Sequence, residues 1–253
     1  MADRAFTLVV DAGEALLESG GEVFRAQNTM EIMAESLGVE NFNVYVLTNG
    51  IFASAEGGAV HEVRHIPAVH IHLGRVEAIN ALSRRIASGE VDVDGARDLL
   101  QKAKAMPTYS PPLQVLAGAV GSAGFAFLFG GLGPEMCMAA VAGAGEMLLT
   151  RLLRLHRTSR IFTDILAAAL GTAAALVGKA LLFPALDANT AIIGALMVLT
   201  PGVALTMAIR DFINTDYLSG TIRLFDALLV AGCLACGVAF TYMVCHTFLG
   251  VLL

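Results

Sequence analysis

The residues with the plainest capacity for chemistry lie between positions 192 and 223, IIGALMVLTPGVALTMAIRDFINTDYLSGTIR. An apolar run breaks there at Thr200-Pro201-Gly202, resumes, and ends in a polar segment with Arg210, Asp211, Asp216 and Arg223. Proline inside a helix removes one backbone donor and clashes with the carbonyl four residues back, here that of Met197. In hydrocarbon no water repairs the loss, so the freed carbonyl must face protein, a bound solute or a wet cavity. Broken spans of this kind occur near the midplane of secondary transporters, where they turn backbone dipoles towards a substrate. A proline kink used only for packing is the plainer alternative. Arg210 and Arg223 could receive a carboxylate, because the guanidinium fork matches its two oxygens. Asp211, Asp216 and Asp226 would either hold those arginines or meet the ammonium group of an amino acid, and one of them could carry a coupling proton where burial favours the neutral form. Arg210 and Asp211 could equally anchor and cap a helix end.

Other patterns point elsewhere. His61-Glu62-Val63-Arg64-His65 matches HExxH, in which two histidines one helical turn apart hold zinc and the glutamate acts as base. Gly57-Gly58 before it and Pro67 after it predict a strand instead. On a strand the two histidines would stand roughly 13 Å apart, too far to share one ion. His70 and His72 would share a strand face and could bind a metal weakly or simply be solvated. A membrane-bound zinc hydrolase using His61, Glu62 and His65 therefore stays a minor alternative; no metal or other cofactor is expected, and the chain is not read as an enzyme. Cys233 and Cys236 have CxxC spacing within an apolar segment, where packing explains them. Lys179 is the only lysine after residue 106 and lies near the outer end of an apolar run, where it could pair a charge or attract substrate.

The elements that must position these residues follow from composition. The chain has 253 residues, is 56% hydrophobic, has mean hydropathy +0.70 and holds no tryptophan, which is too apolar for a soluble domain of this length. Residues 1–106 hold 15 acids and 9 bases, and residues 107–253 hold 7 of each. The sequence thus divides into an acidic head, 1–106, and a membrane body, 107–253. The net charge of −6 lies in the head and excludes nucleic acid as an expected partner. Asp3, Arg4, Asp11, Glu14 and Glu18 leave no apolar core for a signal peptide in the first twenty residues, so the head is expected to be cytoplasmic.

Within the head, apolar spacing predicts helices over 4–18, 22–37, 75–88 and 92–105, with Gly38 and Asp92 as caps. Between them, runs at 43–48, 51–56 and 59–66, separated by Asn49-Gly50 and Gly57-Gly58, predict a three-stranded meander. The body offers five spans, at about 112–129, 134–153, 161–183, 189–209 and 224–252, each long enough for about 30 Å of hydrocarbon. Arg151, Arg154, Arg157 and Arg160 follow the second span, and Arg210 and Arg223 the fourth; the first and third connections carry no lysine or arginine. The positive-inside rule then places the head and both arginine-bearing loops in the cytoplasm and the C-terminus outside. Frequent glycines predict a compact bundle with partners. Glu135, Glu146 and Asp164 are expected at membrane interfaces. The fold class is an α-helical membrane protein of five transmembrane helices preceded by a small cytoplasmic α+β domain.

The run LMVLTPGVALTMAIRDFINTDYLSGTIRLFDALL resembles the proline-glycine span and following arginine-aspartate loop of the threonine/serine exporter family, which includes a two-component exporter implicated in succinate efflux. AGEALLESGGEVFRAQNTMEIMAESLGV resembles the family's opening helices, and IASGEVDVDGARDLLQKAKAMPTYSPPLQVLAGAVGSAGFAFLFGG its entry into the membrane. The resemblance implies export of small polar metabolites, either threonine/serine-type amino acids or succinate-type dicarboxylates, through a multi-pass protein of the inner membrane. Long members add a second membrane half; this chain is similar to the larger subunit of the split type, which implies a small membrane partner subunit, and an oligomer is expected in the lipid bilayer. The substrate-binding residues expected are Thr200, Pro201, Gly202, Arg210, Asp211, Asp216, Arg223, Asp226 and Lys179. A non-transporting scaffold or assembly subunit is the other reading.

Overall fold

The computed structural model describes residues 2–67 and 69–248. By close contacts the chain divides into two compact units: a head unit, Met1–Thr108 with Leu205–Leu224, and a membrane unit, Tyr109–Ala204 with Phe225–Leu253.

The head begins with α1 (Ala2–Glu18) and α2 (Val23–Ser36), then β1 (Asn43–Leu47), β2 (Gly50–Ala55) and β3 (Val60–His65), then α3 (Leu73–Ala87) and α4 (Val93–Lys104), in the order the sequence predicts. Its core is α1, whose Leu8, Val9, Val10, Leu16 and Leu17 are buried against Met30 and Met33 of α2, Ile51 of β2, Ile79 of α3 and Leu100 of α4. Glycines in the left-handed region end the first two helices, Gly20 at φ +83° and Gly38 at φ +69°. Asp92 caps α4 by accepting the Gly95 amide at 3.0 Å.

The sheet is antiparallel in the order β1-β2-β3. Its first turn differs from expectation by one residue: Leu47 pairs with Gly50, so the loop is Thr48-Asn49 and Gly50 lies inside the ladder. A side chain at Gly50 would press on the Arg64 carbonyl at 3.2 Å. The histidine pair also departs from the prediction. His70 and His72 are not on a strand; their backbone amides donate to Glu18 and Ser19 at the end of α1. His72 caps α3 instead, its Nδ1 accepting the Arg75 amide at 3.1 Å while Nε2 lies 3.2 Å from the Pro107 carbonyl.

The apolar half contains α5 (Pro111–Leu128), α6 (Gly133–Leu155), α7 (Arg160–Leu181), α8 (Ala188–Leu196), α9 (Gly202–Ile213) and α10 (Tyr217–Phe248). Four of these, α5, α6, α7 and α10, are long and apolar enough to cross a membrane among the described residues. The segment expected to cross at 189–209 is in two pieces of nine and twelve residues, each too short for about 30 Å at about 1.5 Å per residue. The last expected span starts earlier than predicted, at Tyr217, and its residues 249–252 lie outside the described residues.

Small residues let the helices of the membrane unit touch backbone to backbone. Gly143 of α6 faces the Gly118 carbonyl and the Ser122 side chain of α5, Gly237 of α10 faces the Ile165 carbonyl of α7, and Gly178 of α7 makes room for the Met138 side chain of α6. At one rim Glu135 accepts the Leu132 amide at 3.0 Å and the Asp187 amide at 3.1 Å, tying the α5–α6 and α7–α8 connections together. The tightest constraint on α8 is Gly194, where an added Cβ would stand 2.8 Å from the Ala126 backbone nitrogen of α5. Backbone cannot swing aside as a side chain can, so Gly194→Ala should lower the stability of the solubilised protein by about 1–3 kcal/mol. Gly232→Ala, with nothing within 4 Å, should be silent in the same thermal unfolding measurement.

Candidate functional site

In the head unit, the polar segment after the break forms a compact turn. Asp211 is buried, its side chain 5% exposed, and forms an ion pair with Arg223 at 3.2 Å between Oδ2 and Nε. The turn closes where the Asp216 amide donates to the Asp211 carbonyl at 2.9 Å, with Thr215 at φ +64°. Asp216 then caps α10, its Oδ1 accepting the Ser219 amide at 3.2 Å. Gly220 leaves room for the Phe212 ring, which lies 6.4 Å from that of Tyr217. Arg210 has a different partner, Glu22 at the start of α2, at 2.6 Å, and half of its side chain remains exposed. A cavity of about 380 Å³ adjoins this turn, lined by Gln27 and Tyr45 together with Asp211, Asn214, Asp216 and Tyr217. Each arginine therefore has its own carboxylate, and of the alternatives open for Asp211, holding an arginine is the one the geometry contains.

In the membrane unit, the helix leaves α-geometry after Leu196, four residues before Thr200. The Leu196 carbonyl accepts the Leu199 amide at 2.9 Å, the Thr200 amide at 3.1 Å and Thr200 Oγ1 at 3.0 Å. The Met197 carbonyl, expected to be freed by Pro201, accepts the Thr200 amide at 3.3 Å. The break is thus a tightened turn with exposed Thr200 and Gly202 around half-buried Pro201, and the Gly202 amide donates back to the Thr200 carbonyl at 2.8 Å. Asp226 pairs with Arg160 at 3.2 Å, and Arg160 also reaches Asp164 at 3.7 Å. Lys179 is half-buried in the last turn of α7, where its charge acts on Asp187. Thr190 donates to the Asp187 carboxylate at 2.6 Å and, with that charge, holds it below the usual carboxylate range.

The structure corrects the expectation for Glu146. An interfacial carboxylate would reach water, yet Glu146 is fully buried and neither carboxyl oxygen has a hydrogen-bond partner. Its place was legible in one respect: Met138, Ala139, Ala142, Gly143 and Glu146 follow one helical face, and all five are buried. The HExxH residues lie on β3 as the turn glycines predict; His61 and His65 are exposed and Glu62 forms an ion pair with Arg64. Among the described residues no group of three or more histidine, cysteine or acidic side chains stands close enough to hold a metal ion.

Comparisons with known proteins agree on one family. A family model described as "Putative threonine/serine exporter" matches residues 7–245. A protein of Mycobacterium tuberculosis (strain ATCC 25618 / H37Rv) named "Probable threonine/serine exporter" is 26% identical over 240 residues, covering 93% of this chain and 45% of that protein. The chain therefore spans less than half the length of that curated relative. No solved structure matches it.

The two arginines should respond differently to removal. Arg223→Ala strands a buried carboxylate and should destabilise the head unit by about 3–5 kcal/mol. Arg210→Ala removes an exposed pair and should cost no more than about 1 kcal/mol. Thermal unfolding of the solubilised protein, with the Arg223→Ala/Asp211→Ala double variant recovering part of the loss, checks both.

Proposed function

Because the chain belongs to the threonine/serine exporter family, we propose that it is a membrane transporter subunit that exports small polar metabolites. The interruption between α8 and α9 is the observation that carries this reading. A nine-residue helix packed on α5, α6 and α7 and followed by five irregular residues is costly in hydrocarbon unless the exposed groups meet a solute or water. In this reading α8 and α9 together make a fifth crossing, residues 1–106 form a cytoplasmic domain, residues 107–253 form the membrane body of the inner membrane, and the C-terminus is outside.

Within the membrane unit, the exposed Thr200 and Gly202, with Pro201 between them, contact the solute at the interruption. Asp226 is held by Arg160 and shapes that unit, while Lys179 draws anionic solute towards the far end of α7. Within the head unit, Arg210 is the exposed cation that attracts a carboxylate. Asp211 and Arg223 position its helix, and Asp216 fixes the start of α10. The substrates that suit this set carry a carboxylate: serine and threonine, for which the relative's name argues, or succinate. A small membrane partner subunit completes the pathway, and the working form is an oligomer.

Counterflow of labelled serine, threonine and succinate into liposomes, with the chain alone and with the small membrane protein encoded nearest to it, tests the proposal. Uptake that requires both chains and prefers one substrate is expected. Arg210→Ala, inserted normally, should slow that uptake by about tenfold, the loss of one charge-assisted contact. Absence of uptake from both preparations of inserted protein would favour a scaffold subunit.

A further inference from the structure

The membrane unit has five carboxylates among its described residues, and four of them are accounted for. Glu135 accepts two backbone amides, Asp187 caps α8, and Asp164 and Asp226 both meet Arg160. Glu146 alone has neither a donor nor a cation, and it is also the one that is wholly enclosed. A carboxyl kept only for architecture is normally tied down, because an unpaired charge or an unmet polar group in hydrocarbon works against the fold.

The surroundings are built around the carboxyl. It lies against Gly171 of α7, where any Cβ would overlap Glu146 Oε1 and stand 2.9 Å from its Cδ. Thr150 Oγ1, one turn further along α6, is likewise buried without a partner. Among the described residues α5, α7 and α8 pack on α6, and α10 packs on α7 at Ile165 and Ala168 and on the cluster around Met138. The ionisable residues of α10 in this unit are Asp226, engaged by Arg160, with Cys233, Cys236, Tyr242, Cys245 and His246. Neither α5 nor α8 contains an ionisable residue. On α7 the charged groups are Arg160, Asp164 and Lys179, each seven or more residues from Gly171, or about 10 Å along the axis. On α6 itself Glu135, Cys137, Arg151 and Arg154 complete the set. Glu135 is engaged at the rim; Arg151 projects about 140° round the helix from Glu146, and Arg154 is about 12 Å further along it. With no counter-charge beside it, the side chain fits this notch as the neutral acid.

We propose that Glu146 is the proton-carrying carboxyl of the membrane unit, linking proton movement to solute movement. The proposal rests on the transport reading above. On release, the carboxylic acid gives its proton to water and becomes the carboxylate; on uptake, a hydronium ion on the other side returns the proton and leaves water. No other reactant takes part. The enclosed arrangement is the occluded, protonated state, and release requires the α6–α7 notch around Gly171 to open to water.

The test uses the full chain, reconstituted with its partner where counterflow requires one, as wild type, Glu146→Gln and Glu146→Asp. Glutamine keeps size and hydrogen-bonding shape but cannot release a proton. Glu146→Gln is expected to retain counterflow of the preferred solute close to the wild-type rate while losing accumulation driven by an imposed pH gradient, down to the level of protein-free liposomes. Glu146→Asp should recover part of that accumulation. Glu146→Gln that still accumulates solute with the pH gradient like wild type overturns the assignment, since packing alone would then explain the residue. An infrared spectrum supplies a readout independent of transport. At neutral pH the wild type should show the carbonyl stretch of a protonated carboxylic acid that Glu146→Gln lacks; identical spectra would also overturn the assignment. If the band is present but the wild type shows no counterflow under any condition, the transport reading itself fails and takes the coupling role with it.

Discussion

Backbone-to-backbone approach in the membrane unit is the constraint on which the rest depends. Helices in hydrocarbon gain little from hiding apolar side chains, so they associate through close contact, and close contact needs residues without bulk. Gly194 against Ala126, Gly143 against the Gly118 carbonyl and Gly237 against the Ile165 carbonyl supply it. Because α8 is held this firmly, it can be only nine residues long and the chain can leave α-geometry directly after it. The irregular turn that follows satisfies part of its own backbone through the Leu196 and Met197 carbonyls. A freely flexible loop would leave more of those groups to find partners elsewhere.

Charge follows the same logic in both units. Where an ionised group is enclosed it has a partner, as Asp211 has Arg223; where it is exposed it has a looser one, as Arg210 has Glu22. Salt bridges at the surface add little to stability, so the Arg210 charge is free to serve another purpose, whereas Arg223 is bound to the fold. Glu146 is enclosed without such a partner, and an unpaired ionisable group within a span is the usual mark of a working residue.

Much of the head was legible because its signals are local. Helix spacing, Gly38, the Asp92 cap and the Gly57-Gly58 and Pro67 that flank the histidine motif each act within a few residues, and each produced the expected element. The sequence misled where two local signals competed. Asn49-Gly50 suggested the turn, yet Gly50 was needed in the ladder beside Arg64, and the turn moved to Thr48-Asn49. Non-local facts were out of reach: Glu22 meets Arg210 across 188 positions, and no period or motif announces such a pair. The burial of Glu146 was half visible, since its helical face was marked by Met138, Ala139 and Ala142, while the notch at Gly171 that receives it depends on the packing of a second helix.

The central claim is that solute meets the chain at the interruption between α8 and α9. Single cysteines placed in turn at positions 196–204, in a variant lacking Cys137, Cys233, Cys236 and Cys245, would test it through their rate of reaction with a water-soluble thiol reagent. The account predicts that cysteines at 200 and 202 react readily, that those at 196 and 197 react slowly, and that the transported solute slows the former. Uniformly slow reaction across the nine positions, or a reactive pattern that no candidate solute alters, would contradict it.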